Sequence, residues 1–141
     1  MYLGTFTQKL DDKGRLFLPA KFREQLRKGL VITRQQERCL AIWPADVFAA
    51  EVERAATGPS TSQRVREYQR MVASGASDES PDSQGRVTVP PALRSYAGLV
   101  KDIVVIGAIN RLEIWDQEKW AEYSAAQEEA FADLDEAGEQ Q

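Results

Sequence analysis

Two short stretches of this 141-residue chain concentrate the residues able to do chemistry, DDKGRLFLPAKFR at 11–23 and DSQGRVTVPPALR at 82–94. Each contains Asp-x-x-Gly-Arg, as Asp11, Gly14 and Arg15 and again as Asp82, Gly85 and Arg86. Glycine supplies the positive φ of a tight hairpin tip and lets the backbone come close to a partner. Arginine beside it can grip a phosphate or a guanine edge through two parallel N–H bonds. Lys13 adds a flexible charge at the first tip, and Gln84 holds the same place in the second. Lysine supplies charge or contacts guanine, whereas glutamine reads adenine through a paired donor and acceptor, so the tips need not be equivalent. The candidate nucleic-acid contacts are therefore Lys13, Gly14, Arg15, Gln84, Gly85 and Arg86. A second reading stays open, in which Asp11–Arg15 and Asp82–Arg86 are ion pairs that fix the turns. Exposed pairs contribute only ~0–1 kcal/mol, a thin reason to keep the same pair twice. Arg23 and Arg94 each follow a tip arginine by eight residues. They extend a phosphate-binding stripe or pair with a carboxylate of the neighbouring copy, and the supporting ion-pair role is the one expected.

The rest of the composition narrows the chemistry. There is no histidine and a single cysteine, Cys39. Ser-His-Asp and Cys-His catalysis, His-ligated zinc and imidazole proton transfer are excluded, and any metal site would have to be built from carboxylates. Neither GxGxxG nor GxxxxGK[ST] occurs, so no nucleotide cofactor is expected, and catalysis is not the expected function. Cys39 lies in an apolar strand context and is expected to be a buried, inert thiol; one cysteine suits a reducing cytoplasm. No apolar run approaches the ~20 residues of a membrane span, and MYLGTFTQKL is not expected to be a secretory leader.

Charge runs in one direction. The total is −4, from 18 basic and 22 acidic residues, yet residues 1–38 carry nine Lys/Arg against four acids. Residues 116–141 carry nine acids and only Lys119. Such asymmetry suggests a basic working surface with an acidic tail held away from it. A whole-chain pI near 5.0 departs from the basic footprint of a generic nucleic-acid binder, so binding must rest on a local site. Within the acidic segment, Glu128-Glu129 is expected on a solvated helix face. Trp120, Tyr123, Ala130, Phe131 and Leu134 could form a stripe that docks on a neighbouring subunit.

The elements that must position these residues repeat with them. Asp11/Asp82, Gly14/Gly85, Arg15/Arg86, Pro19/Pro90 and Arg23/Arg94 are identical at a constant spacing, with Leu16/Val87, Leu18/Val89 and Phe22/Leu93 apolar in both. One residue out of step, Leu40/Leu112, Ile42/Ile114 and Trp43/Trp115 also coincide, and the tryptophans are expected in the core or beneath the following helix. This is a tandem duplication. The first copy predicts a strand over Tyr2–Leu10, a turn over 12–14 and a strand over Arg15–Leu18. A short helix follows from Pro19 to about Gly29, then a hairpin of Leu30–Thr33 and Cys39–Trp43 and a helix over Ala45–Ala56. Thr57-Gly58-Pro59-Ser60 breaks that helix. Ser62–Ala73 predicts a third helix, and 74–81 a loop. The second copy repeats the course, with strands Arg86–Val89, Ile103–Ile106 and Leu112–Trp115 and a long helix from about Gln117. Neither copy has strands enough to cover its own apolar faces, so the two are expected to interleave into one small β-barrel with helices outside.

With the two tips, the opening MYLGTFTQKL and this spacing, nearly the whole chain, 1–134, resembles the MraZ family. The resemblance implies an α+β fold of the swapped-hairpin, AbrB-like group, here a tandem duplicated β-barrel core with peripheral helices. It implies a first swapped-hairpin repeat at 1–56, a linker with a helix at 57–76, a second repeat at 77–126 and an acidic helix end and tail at 127–141. It further implies a sequence-specific transcriptional regulator, typically a repressor of its own division and cell-wall operon, cytoplasmic and nucleoid-associated. Such a protein forms a homo-oligomeric ring and binds double-stranded promoter DNA at short direct repeats. Asp11/Arg15 and Asp82/Arg86 carry the family motif, with Arg15 the leading DNA contact. Gln84 in place of lysine sets the second tip apart. The alternative is a ring-forming protein-interaction module, or an antitoxin-like protein, in which the acid–arginine pairs are structural.

Overall fold

The short outer strands alternate buried and exposed residues, whereas the longer central strands carry runs of buried residues and so are covered on both faces. The computed structural model describes residues 1–55 and 62–134. The first copy contributes β1 (Thr5–Lys9), β2 (Arg15–Phe17), a 3-10 turn (Ala20–Phe22) running into α1 (Arg23–Leu26), β3 (Leu30–Gln35), β4 (Cys39–Pro44) and α2 (Ala45–Ala55). After α3 (Gln63–Gly75), the second copy contributes β5 (Ser77–Glu79), β6 (Arg86–Thr88), α4 (Pro91–Ala97), β7 (Asp102–Gly107), β8 (Leu112–Asp116) and α5 (Gln117–Ala132).

The copies exchange their first strands. Six strands form one antiparallel sheet in the order β1-β7-β8-β4-β3-β5, and β2 and β6 form a separate two-stranded ribbon. Strand β1 of the first copy therefore pairs with β7 of the second, Phe6 opposite Val105, while β5 pairs with β3, Val31 opposite Asp78. In the ribbon Leu16 faces its own repeat-mate Val87, and at the sheet centre Ala41 faces its repeat-mate Glu113. An approximate twofold axis passes through both pairings.

The core lies between ribbon and sheet. Leu16, Leu18, Val87 and Val89 meet Leu30, Ile32, Leu40, Ile42, Ile103, Val105, Leu112 and Ile114, with Phe22, Leu26 and Leu93 closing the sides. The other face of the sheet is covered by helices. Thr33 Oγ1 donates to the Val72 carbonyl of α3 at 2.6 Å. Trp115 packs against Tyr123 and Trp120 of α5, with ring centroids 4.8 and 5.2 Å apart. Asp116 caps α5 by accepting from the Lys119 N–H at 3.1 Å. No helix among the described residues is long and apolar enough to cross a membrane.

The duplication and the interleaving stand as expected, but the barrel does not close. Strands β1 and β5 remain the two edges of the sheet. The ribbon strands are three residues long and run out toward Pro19 and Pro90, which lack the N–H needed to extend a ladder. The expected loop at 74–81 contains a strand, β5, because backbone pairing to β3 needs no apolar side chains. The first strand is shorter than expected, with Tyr2 joined to Ile109 through an isolated bridge. The break at Thr57–Ser60 and the end of the acidic tail, 135–141, lie outside the described residues.

Leu16 is fully buried where the two copies meet, while its neighbour Phe17 is 45% exposed. Leu16→Ala should cost about 2–5 kcal/mol in urea unfolding, the range for emptying a packed leucine site. Phe17→Ala should cost less than about 1 kcal/mol. Equal losses for the two would contradict this placement of the core.

Candidate nucleic-acid interface

Each tip is built by its own aspartate. Asp11 Oδ1 accepts from the backbone N–H groups of Lys13 and Arg15, both at 2.9 Å, and Oδ2 accepts from Arg15 Nε at 2.7 Å. Asp82 repeats the pattern with Gln84 N at 2.9 Å, Arg86 N at 2.8 Å and Arg86 Nε at 2.7 Å. Gly14 and Gly85 take φ of +75° and +77°, a conformation L side chains resist. The carboxylates sit below their ordinary value of 3.8, chiefly because the Arg15 and Arg86 backbone N–H groups donate to them, with the guanidinium adding to the effect. The expected turn-fixing pair is thus present at both tips. It engages only Nε of each arginine among the described residues, so the two terminal nitrogens of each planar fork stay free to meet a phosphate or base.

The tips are also joined across the duplication. The Gly14 carbonyl accepts from Val89 N–H and the Gly85 carbonyl from Leu18 N–H, both at 2.9 Å. Along the antiparallel ribbon this sets the two tips about four extended residues apart, roughly 13 Å. Alternation puts Leu16 and Val87 inward, so Arg15, Phe17, Arg86 and Thr88 share the outward face. Lys13 and Gln84 are exposed at the two apices. The structure therefore brings all six candidate contacts onto the ribbon and its ends.

Arg23 and Arg94 depart from the ion-pair expectation. Neither pairs with a carboxylate among the described residues. Each lies instead over the tip glycine of the other copy. A Cβ at Gly14 would stand 2.2 Å from Arg94 Nη1, and one at Gly85 would stand 2.5 Å from Arg23 Nε. Arg23 Nε donates to the Leu18 carbonyl at 3.0 Å. The physical reason is that Asp11 and Asp82 are already engaged by three donors each from their own tips, while a bare glycine leaves room for a flat guanidinium. The first tip is thus surrounded by Lys13, Arg15 and Arg94, and the second by Arg86 and Arg23.

Sequence reasoning missed Phe17 and Gln8. Gln8 bonds both backbone groups of Phe17, accepting from its N–H at 2.8 Å and donating to its carbonyl at 2.6 Å, which clips β1 to the ribbon. Gln8 falls outside the matching segments, so the repeat gave no signal for it. Phe17 could have been found, since it is the outward residue between two inward leucines. Cys39 is buried, and burial drives its thiol far above the ordinary range. Among the described residues no cluster of three His, Cys, Asp or Glu could hold a metal ion.

Two interleaved units that exchange strands within one chain, each presenting an aspartate-braced glycine–arginine tip, define a tandem swapped-hairpin protein. The family model described as "MraZ protein, putative antitoxin-like" matches residues 1–71 and, separately, residues 72–141. The chain is 60% identical over 134 residues to the transcriptional regulator MraZ of Cutibacterium acnes, covering 95% of this chain and 94% of that protein. It is 55% identical to the transcriptional regulator MraZ of a Parafrankia species and 56% identical to that of Micrococcus luteus, each over 136 residues covering 96% of this chain and 95% of the relative. The chain belongs to the MraZ family.

The depressed carboxylates give a signed expectation. Because their folded values lie below the unfolded one, the tips add stability above about pH 3.8 and lose it as pH falls through the lower folded value. Carboxyl NMR titration should place the Asp11 and Asp82 midpoints below 3.8. In Arg15→Ala the Asp11 midpoint should rise only part of the way, because the backbone donors remain. A midpoint at or above 3.8 in the intact chain would contradict the tip geometry.

Proposed function

We propose that this chain is a DNA-binding transcriptional regulator whose reading head is the outer face of the β2–β6 ribbon and its two tips. The observation that carries this reading is the repeated tip. Two guanidinium forks, Arg15 and Arg86, are held through Nε by the same aspartate bond, 2.7 Å in each, and keep their terminal nitrogens free among the described residues. Arg23, Arg94 and Lys13 add local positive charge to a chain whose total is −4. Charge of that kind suits phosphate contacts, while the arginine forks, Lys13 and Gln84 suit base edges in a major groove.

One head offers few contacts, so useful affinity calls for several heads on one DNA. We read the protein as a homo-oligomeric ring that engages short direct repeats in a promoter, where each added head raises effective concentration without a new kind of contact. Repeats about one helical turn apart would offer the same groove face to adjacent subunits. On this reading it is a cytoplasmic, nucleoid-associated repressor of its own division and cell-wall operon. The names of its relatives support the regulatory role, and the asymmetry of Lys13 and Gln84 supports unequal tips. One observation favours a second reading, a protein-interaction or antitoxin-like module: both tip arginines already have an aspartate partner.

Fluorescence anisotropy on the duplex upstream of the gene and on a scrambled duplex separates the two readings. Arg15→Ala should remove the preference for the upstream duplex, a bidentate base contact being worth about 1–3 kcal/mol of discrimination, and should leave assembly intact. Affinity of the intact protein should fall steeply with salt, with a log–log slope near −0.9 for each phosphate neutralised. Full preference retained in Arg15→Ala, or a flat salt dependence, would favour the structural reading of the tips.

A further inference from the structure

Helix α5 is held to the body at one end only. Trp120 and Tyr123 pack on Trp115, yet every residue from Ala125 to Leu134 is exposed. The helical part of this stretch, to Ala132, projects about 12 Å. It carries Glu128, Glu129 and Asp133 with no basic residue, and it displays Phe131 at 76% and Leu134 at 53% exposure. A short helical arm without packing is marginal in water, and a large aromatic at its tip is the kind of surface that a partner covers.

Elsewhere on the molecule lies a cavity of about 700 Å³ between α2, α3 and the β3–β4 hairpin, with the β7–β8 turn at its edge. Trp43, Tyr68, Met71 and Val72 give it apolar walls, and four arginines outnumber two glutamates around it. Arg54 pairs with Glu51 and Arg111 with Glu113, so their charges are compensated. Arg34 spends its donors on neutral groups, the Met71 carbonyl at 2.9 Å and Ser74 Oγ at 2.8 Å. Arg64 lines the cavity with no partner among the described residues. Glu67, which accepts from Gln63 Nε2 at 2.8 Å, stands against Arg34 and Arg64, so the cavity combines an apolar patch with a net uncompensated charge of +1, the complement of the arm in both respects.

We infer that the acidic end of α5 from one copy docks in this cavity of a second copy, with Phe131 and Leu134 as the apolar plugs and Arg34 and Arg64 facing Glu128, Glu129 and Asp133. The occupant is another copy because all ten residues of the arm are exposed on their own chain. Arm and cavity are different surfaces, so the contact is heterologous and passes from subunit to subunit, closing into a ring where the rotation allows. This inference rests on the assembly part of the proposed function and is independent of how DNA is read.

The test is the mass of the full chain in solution without DNA, by light scattering behind size exclusion. The intact protein and Arg15→Ala should be oligomeric to the same extent. Phe131→Ala/Leu134→Ala should run as a folded monomer with the far-UV circular dichroism of the intact protein, since both residues are exposed on their own chain. Arg64→Glu/Met71→Glu should do the same from the cavity side. Mixing those two monomers in equal amounts should give a 1:1 dimer, one carrying the intact cavity and the other the intact arm. An arm variant that keeps the full oligomer, a monomeric intact protein, or a mixture that stays monomeric would each overturn the inference. Failure of DNA reading would appear separately, as oligomers of unchanged mass that do not prefer the upstream duplex.

Discussion

Neither half of this chain can bury its own apolar residues, and the exchange of strands between the halves is the constraint from which the rest follows. Strand β1 completes the second copy's hairpin, β5 completes the first copy's, and Leu16 and Val87 close on each other at the approximate twofold axis. The tips inherit this arrangement. Each tip carbonyl accepts from the other copy's backbone, and each tip glycine is covered by the other copy's arginine. A hairpin loop would ordinarily be among the more mobile parts of a small domain. Here both loops are anchored to the core from two sides, so the guanidinium forks stand on a rigid base.

That rigidity matters for recognition. A free arginine side chain gives up about 2 kcal/mol of rotamer freedom when it is fixed, and that cost falls on binding if nothing fixes it beforehand. The aspartates fix Nε in advance and leave the terminal nitrogens for a partner. An ion pair and a binding role are therefore compatible: the carboxylate aims the arginine that would touch the ligand. The duplication also permits divergence that two identical chains could not have. Lys13 and Phe17 lie on the first copy's half of the ribbon, Gln84 and Thr88 on the second's, so one face presents two different tips.

Much of this was legible in the residues because local chemistry and tertiary role agreed. The spacing of Asp, Gly and Arg specified the tips, and the apolar matches Leu16/Val87 and Leu18/Val89 marked the buried positions of the ribbon. The matching of 11–23 with 82–94 gave the duplication, since both copies must satisfy the same packing. What could not be read depends on partners distant in sequence. Strand β5, Ser-Asp-Glu, has no strand-forming side chains and exists because the edge of β3 offers backbone groups to pair. The open barrel depends on where two prolines stop a ladder. Arg23 and Arg94 resembled ion-pair members by type, and only the fold shows that their neighbours are glycines rather than carboxylates. The tryptophans divide as well: Trp115 is buried under α5, whereas Trp43 lines a cavity beside Arg111.

The central claim is that the two tips are the surfaces that touch DNA, and site-directed disulfide cross-linking tests it most directly. Cys39 is 1% exposed, so a cysteine introduced at an exposed position would be the accessible thiol of the chain. Lys13→Cys, Gln84→Cys and, as a distant control on α3, Ala73→Cys would each be incubated with upstream duplex carrying a thiol tether on a base in the major groove. The account predicts cross-links from positions 13 and 84 and none from position 73. Cross-linking from position 73 alone, or from none of the three under conditions where the protein binds the duplex, would contradict it.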